Sequence, residues 1–105
     1  MTKLYVAEFA EVEIGPAGRV GQFAAQPTLA EQVVDYTAGS AQSSPFNTNT
    51  RFVRLHTDAI CSVVFGTTTP TLTAATTNAR MAANQTEYFG VPKGQAFKVA
   101  AITNT

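Results

Sequence analysis

Apolar residues along the chain come in short bursts, with Gly, Pro, Asn and Thr standing between them. Short β-branched and aromatic runs separated by turn residues predict strands, and strands at this density predict a small sandwich or barrel. Lys3–Phe9 reads as the first. Leu4 and Val6 alternate there with Tyr5, Ala7 and Phe9, so both faces are apolar and both ask for burial, one of them against a partner. Ile14-Gly-Pro-Ala-Gly18 is turn chemistry, and Val20–Phe23 is a short second strand that ends at Gln26-Pro27. Over Thr28–Tyr36 two readings compete. Thr28 and Glu31 have the spacing of a helix capping box, but the β-branched and aromatic continuation, with Gly39 behind it, favours a strand over Glu31–Thr37. Gly39–Asn49 is small and polar, a loop in which Phe46 is expected to dock as an anchor, into the domain or onto a neighbour.

The second half is patterned more clearly. Alternation in Arg51–His56 points Val53 and Leu55 inward and Arg54 and His56 outward, and leaves Phe52 as an apolar residue on the outer face. Ala59–Phe65 is almost continuously apolar, which predicts the central core strand, closed by Gly66. Seven threonines among residues 67–77 predict a long ordered loop, because Thr favours extended backbone and bonds to it locally. Ala79–Ala82 is expected to turn and plug Met81 into the core. Thr86–Val91 and Gln95–Thr103 flank Pro92-Lys93-Gly94, and that turn predicts a hairpin. Inward side chains should include Val53, Leu55, Ile60 or Cys61, Val63, Phe65, Phe89, Val99 and Ile102. The expected fold is all-β: a single small β-sandwich or jelly-roll-like barrel across residues 1–105, with residues 1–9 and 39–50 as intersubunit arm and loop.

A chain of 105 residues has the size of one domain. It can build a core, but not a core and a deep private cleft as well. Only 13% of its residues are charged, which suits a surface covered by other subunits. The balance is neutral, against a nucleic-acid partner, which needs a basic face. The charge is unevenly spread, however. Residues 1–50 sum to −3 and residues 51–105 to +3, an asymmetry able to steer copies together. Neither a secretion signal nor a membrane span is visible, and the single Cys61 makes no internal disulfide.

Catalytic and cofactor chemistry is not legible. His56 and Asp58 share a face if the strand continues, but one His and one carboxylate fall short of a metal's ligand set. Cys61 sits in an apolar strand with nothing to lower its pKa, and reads as a small buried hydrophobe. Glu8, Glu11 and Glu13 read as a solvated face or interface rim rather than a paired acid and base. Gly15 and Gly18 lack the Lys-Ser or Lys-Thr of a phosphate loop. Tyr5, Phe9, Tyr36, Tyr88 and Phe89 would suit a sugar-binding face, but at strand spacing they fit core or subunit contact better. The expectation is a non-enzyme with no cofactor, no metal and no catalytic residue.

Two segments carry a family likeness. One is Arg51-Phe-Val-Arg-Leu-His-Thr-Asp-Ala-Ile-Cys-Ser-Val-Val-Phe-Gly66 with Pro70-Thr-Leu-Thr-Ala-Ala-Thr76 behind it. The other is Ala79-Arg-Met-Ala-Ala-Asn-Gln-Thr-Glu-Tyr-Phe-Gly-Val-Pro-Lys-Gly94 with Lys98-Val-Ala-Ala-Ile102. Together, over about half the chain, they resemble small virion structural proteins of tailed bacteriophages. The resemblance implies a multi-copy capsid decoration or cement protein, made in the host bacterial cytoplasm and residing in the virion. Its partners would be the major capsid protein or other virion subunits and copies of itself, with no nucleic acid and no membrane. The interface expected on this reading centres on Tyr5, Val6, Phe9 and Phe46. A head–tail connector or tail component, and a fibre-associated module binding a host glycan, are the alternatives.

Overall fold

The computed structural model describes residues 2–14, 20–24 and 28–104, with backbone alone for 12–14 and 20–24. Ten strands are assigned: β1 (Lys3–Phe9), β2 (Val12–Ile14), β3 (Val20–Ala24), β4 (Ala30–Asp35), β5 (Ala41–Gln42), β6 (Phe52–Thr57), β7 (Cys61–Gly66), β8 (Ala79–Met81), β9 (Thr86–Gly90) and β10 (Lys98–Thr103). No helix occurs among the described residues. Two antiparallel four-stranded sheets, ordered β4-β1-β6-β9 and β5-β10-β7-β8, face one another as a small β-sandwich. β2 and β3 pair separately. The turn expected at 14–18 falls, but for Ile14, outside the described residues.

The core follows from alternation. Leu4, Val6, Val34, Val53 and Leu55 from the first sheet meet Cys61, Val63, Met81, Val99 and Ala101 from the second, with Tyr36 and Phe46 closing the ends. Phe65 and Phe89 pack against this cluster, their ring centroids 5.2 Å apart. Ile102 points the other way. It lies on the outer face of the second sheet beside Leu72, Ala74, Ala100 and Val64. Tyr36 fixes the β4 end by hydrogen bonding: its hydroxyl lies 2.6 Å from Thr57 Oγ1 and donates to Ala59 O at 3.1 Å.

Three expectations are corrected. β9 and β10 do not form a hairpin: β9 pairs with β6, and β10 lies between β5 and β7. The Pro92-Lys93-Gly94 turn carries the chain from one sheet to the other. Val91 N–H is drawn to Arg51 O (2.8 Å) and Gly94 N–H to Thr48 O (2.8 Å), not to each other's strands. Gly94 takes φ of 83°, a conformation glycine adopts without a side-chain clash. Second, Ala79–Met81 is a strand at the sheet edge rather than a turn, although Met81 is buried as expected. Third, residues 3–9 are an inner strand, held by β4 on one side and β6 on the other, and not an arm.

Residues 67–78 are the ordered loop that their threonines predict, and they strap the outside of the second sheet. Leu72 and Ala74 are buried over Ala100. Gln42 accepts from Leu72 N–H (2.8 Å) and donates to Pro70 O (3.0 Å), and Ser40 Oγ accepts from Ala74 N–H (2.8 Å). The outer face of that sheet is thus covered by the chain itself.

Candidate functional site

Among the described residues no such strap crosses the first sheet. Its registers set the outward residues in rungs that run across four strands. One rung is Val33, Tyr5, His56 and Thr86; the next is Glu31, Ala7, Arg54 and Tyr88. Leu29 precedes β4, where the register slips: its N–H bonds Glu8 O (2.8 Å), the residue that Ala30 already faces, and Leu29 lines a separate depression with Ala10, Arg51 and Lys93; Phe52 lies beside Phe9 on β6. The exposed large hydrophobic residues among those described are Tyr5 (43%), Leu29 (40%), Val33 (54%) and Tyr88 (53%). Tyr5, Val33 and Tyr88 sit on this one face.

The relief of the face comes from Ala7. Its methyl group is low among larger neighbours, so a depression of about 300 Å³ opens above it, walled by Tyr5, Val33, Glu31, Arg54 and His56. Aromatic contacts stiffen the walls. Tyr5 and His56 rings stand 6.3 Å apart, Phe9 stacks on Phe52 at 5.2 Å, and Phe52 meets Tyr88 at 6.3 Å. The Arg54 guanidinium lies 5.7 Å from the centre of the Phe9 ring, a cation–π contact that holds it along the sheet. At the end of β4, Asp35 accepts from the Thr37 hydroxyl (2.6 Å) and backbone N–H (3.0 Å). These bonds, the hydroxyl first, hold its carboxyl below the usual range.

The four residues expected at an interface are not brought together. Tyr5 alone is on the surface. Val6 belongs to the core. Phe9 is on the outer side of β1 but is 1% exposed under its stack. Phe46 is anchored within its own fold: its N–H donates to Phe97 O (2.8 Å) and its ring packs 6.4 Å from Phe65. Of the five aromatics considered for a sugar-binding face, Tyr5 and Tyr88 are exposed there, whereas Tyr36 and Phe89 pack inward. Sequence reading missed Val33, Glu31 and Arg54 as neighbours. The alternation at 51–56 had put Arg54 outside, but register alone reveals what flanks it.

Glu8 is corrected as well. It is neither solvated nor at a rim, being 1% exposed. Its carboxylate accepts from Asn47 N–H (2.8 Å), Thr50 Oγ1 (2.8 Å) and Gln32 Nε2 (3.2 Å). Gln32 in turn bonds Ser44 through both its amide atoms. Segment 43–50 is therefore clipped to the first sheet through Glu8 and Gln32. Ser43 and Phe46 meanwhile bond to the backbone of Val99 and Phe97 at the second sheet.

His56 Nδ1 lies 2.8 Å from Thr86 Oγ1, the spacing of a base and a hydroxyl. An activated hydroxyl needs, besides, a group to orient the ring and donors for an oxyanion. Among the described residues no hydrogen bond to the other ring nitrogen supplies such a group, and no cluster of three or more His, Cys, Asp or Glu side chains could hold a metal. Cys61 is fully buried in β7. Comparison with protein-family models, with curated proteins and with solved structures gave no match.

Proposed function

We propose that this chain is a non-catalytic structural subunit of a tailed-bacteriophage virion, a capsid decoration protein that joins its neighbours through the uncovered face of the β4-β1-β6-β9 sheet. The observation that carries the reading is the gathering of Tyr5, Val33 and Tyr88 on one face while a loop of the chain straps the opposite sheet. The virion context comes from the likeness of residues 51–105 to small phage structural proteins. The physics of a decorated shell suits such a fold. A small rigid domain that binds the assembled lattice better than free subunits stabilises the assembly by mass action. Each contact is modest, but several made at once by one body gain from their fixed geometry.

The test is the copy number of the chain in purified particles against the major capsid protein. Copies on the order of hundreds are expected. A single small ring of copies would move the assignment to a connector or tail component, and absence from particles would end it. Specific glycan binding that disappears in Tyr5→Ser and Tyr88→Ser would replace it with the fibre module, since those two tyrosines share the face.

A further inference from the structure

Charge is laid out on the uncovered sheet face with a particular symmetry. In the rung through Ala7, Glu31 lies one strand to one side on β4 and Arg54 one strand to the other on β6. They are opposite charges equidistant from β1, on the floor of an apolar face. Among the described residues no ion pair between them occurs, and the guanidinium lies instead along Phe9. The two come from the acidic and basic halves of the sequence, which the fold sets side by side across one strand.

We infer that the occupant of this face is a second copy of the same chain, packed face to face about a twofold axis that runs along β1. The inference rests on the reading of the face as an assembly contact and names what fills it. A twofold axis that brings a sheet face against itself lies in the plane between the two faces, and its limiting directions are along and across the strands. An axis along the strands exchanges the two sides of β1. Glu31 of each copy then stands over Arg54 of the other, Val33 over His56, and Tyr5 over its own equivalent. An axis across the strands keeps each side in place and, where it passes through the Ala7 rung, sets Glu31 on Glu31 and Arg54 on Arg54. The charges favour the first arrangement and oppose the second. Sheets packed this way lie about 10 Å apart, a gap that a Glu and an Arg reaching from opposite sides can close.

The arrangement has definite limits. β9 falls outside the overlap, because the other copy has no strand beyond β4 to meet it. Tyr88 is therefore at the rim. At the rung of Lys3, Asp35 and Asp58 lie on either side of β1 and would face each other across the axis, so the overlap stops at Tyr5. Three strands at about 4.8 Å spacing make a contact roughly 14 Å wide. That is small for a specific interface. The free dimer is thus of the weak class, dissociating on the order of 10–100 μM, and it is reinforced where copies are held close on a lattice.

The experiment is sedimentation equilibrium of the full chain across micromolar to millimolar concentrations, with circular dichroism to check that each variant is folded. Wild type is expected to dimerise. Glu31→Arg and Arg54→Glu should each weaken self-association at least tenfold. An equimolar mixture of the two should pair again, because each introduced charge then meets its opposite. The double variant Glu31→Arg/Arg54→Glu should dimerise like wild type, whereas an axis across the strands sets like charge on like in wild type and in every variant and predicts no loss in the single ones. Val33→Glu should abolish the dimer, whereas Tyr88→Ser should change its dissociation constant by less than about threefold. A wild type that is monomeric at millimolar concentration would overturn the proposal, as would a double variant no better than its parents. Particle copy number is a separate measurement, so a monomer still present in hundreds per particle would sink the self-contact and leave the structural role standing.

Discussion

Glu8 shows how much one side chain can organise. A buried carboxylate is tolerated only when its lone pairs are used, and here the backbone of Asn47, the hydroxyl of Thr50 and the amide of Gln32 use them. Glu8→Ala would leave buried donors without an acceptor. The expected loss is about 3 kcal/mol, read as a lower urea midpoint, with segment 43–50 exchanging its amide hydrogens faster. Tyr36 is a milder case. Burial raises its hydroxyl pKa above the ordinary 10.0, and the bonds to Thr57 and Ala59 only partly offset this. A folded-state pKa raised in this way gives stability that is complete below the unfolded value of about 10 and lost as pH rises through the folded one. Tyr36→Phe should cost about 1 kcal/mol near neutrality, since Thr57 Oγ1 keeps its bond to Ala59 O. Denaturation of the variant at increasing pH should then lack the part of the alkaline loss that Tyr36 contributes. Neither role was legible beforehand. Glu8 reads as solvent-facing because nothing local announces that Thr50, forty-two residues away, will reach it.

At the scale of elements, alternation told most where it was regular. Lys3–Phe9 has the bounds read from sequence, the strand over 31–37 is observed as Ala30–Asp35, and Val53 and Leu55 point inward. Composition also identified the Thr-rich segment as ordered. What was hidden was pairing. A Pro-x-Gly turn reports that the chain bends, and the same chemistry serves a hairpin or a passage between sheets, so β9 and β10 were placed together although they lie in different layers. Ile102 was misplaced for a related reason: an apolar residue facing outward looks like core until the strap over it is known. That strap gives a prediction of its own. Leu72→Ala should destabilise the protein by about 2 kcal/mol and speed amide exchange at Leu72 and Ala74, which are held by Gln42 and Ser40. If exchange there is as fast in wild type as in the variant, the strap is not docked in solution.

For the whole molecule, the sandwich has one face finished by its own chain and one that the described residues leave open. Substitutions on the open face should separate folding from attachment. Val33→Ser and Tyr88→Ser remove side chains already more than half exposed, so thermal unfolding should shift by no more than about 0.5 kcal/mol. Particle attachment should fall in Val33→Ser if the face is the contact. Removing residues 1–9 is no test of attachment, because it takes an inner strand from the first sheet. That deletion should abolish cooperative unfolding altogether. The class of fold was readable from strands and turns. The open face was not, because it depends on which strands are neighbours.

Both the first and the last strand are interior to their sheets, β1 between β4 and β6 and β10 between β5 and β7. For a chain made from its N-terminus, this sets the order of events. The second sheet has no centre until Lys98–Thr103 is free of the ribosome, and Ala100 must then find Gln42, fifty-eight positions earlier in the sequence. Closing such distant pairings is slow compared with local structure. A nascent chain therefore waits with β7 and β5 unjoined, their edges open to the same strands on other ribosomes. The sparing use of charge that suits a covered surface in the finished protein removes one guard against that encounter. On the proposed multi-copy role, accumulation would then be set by how quickly β10 inserts between β5 and β7.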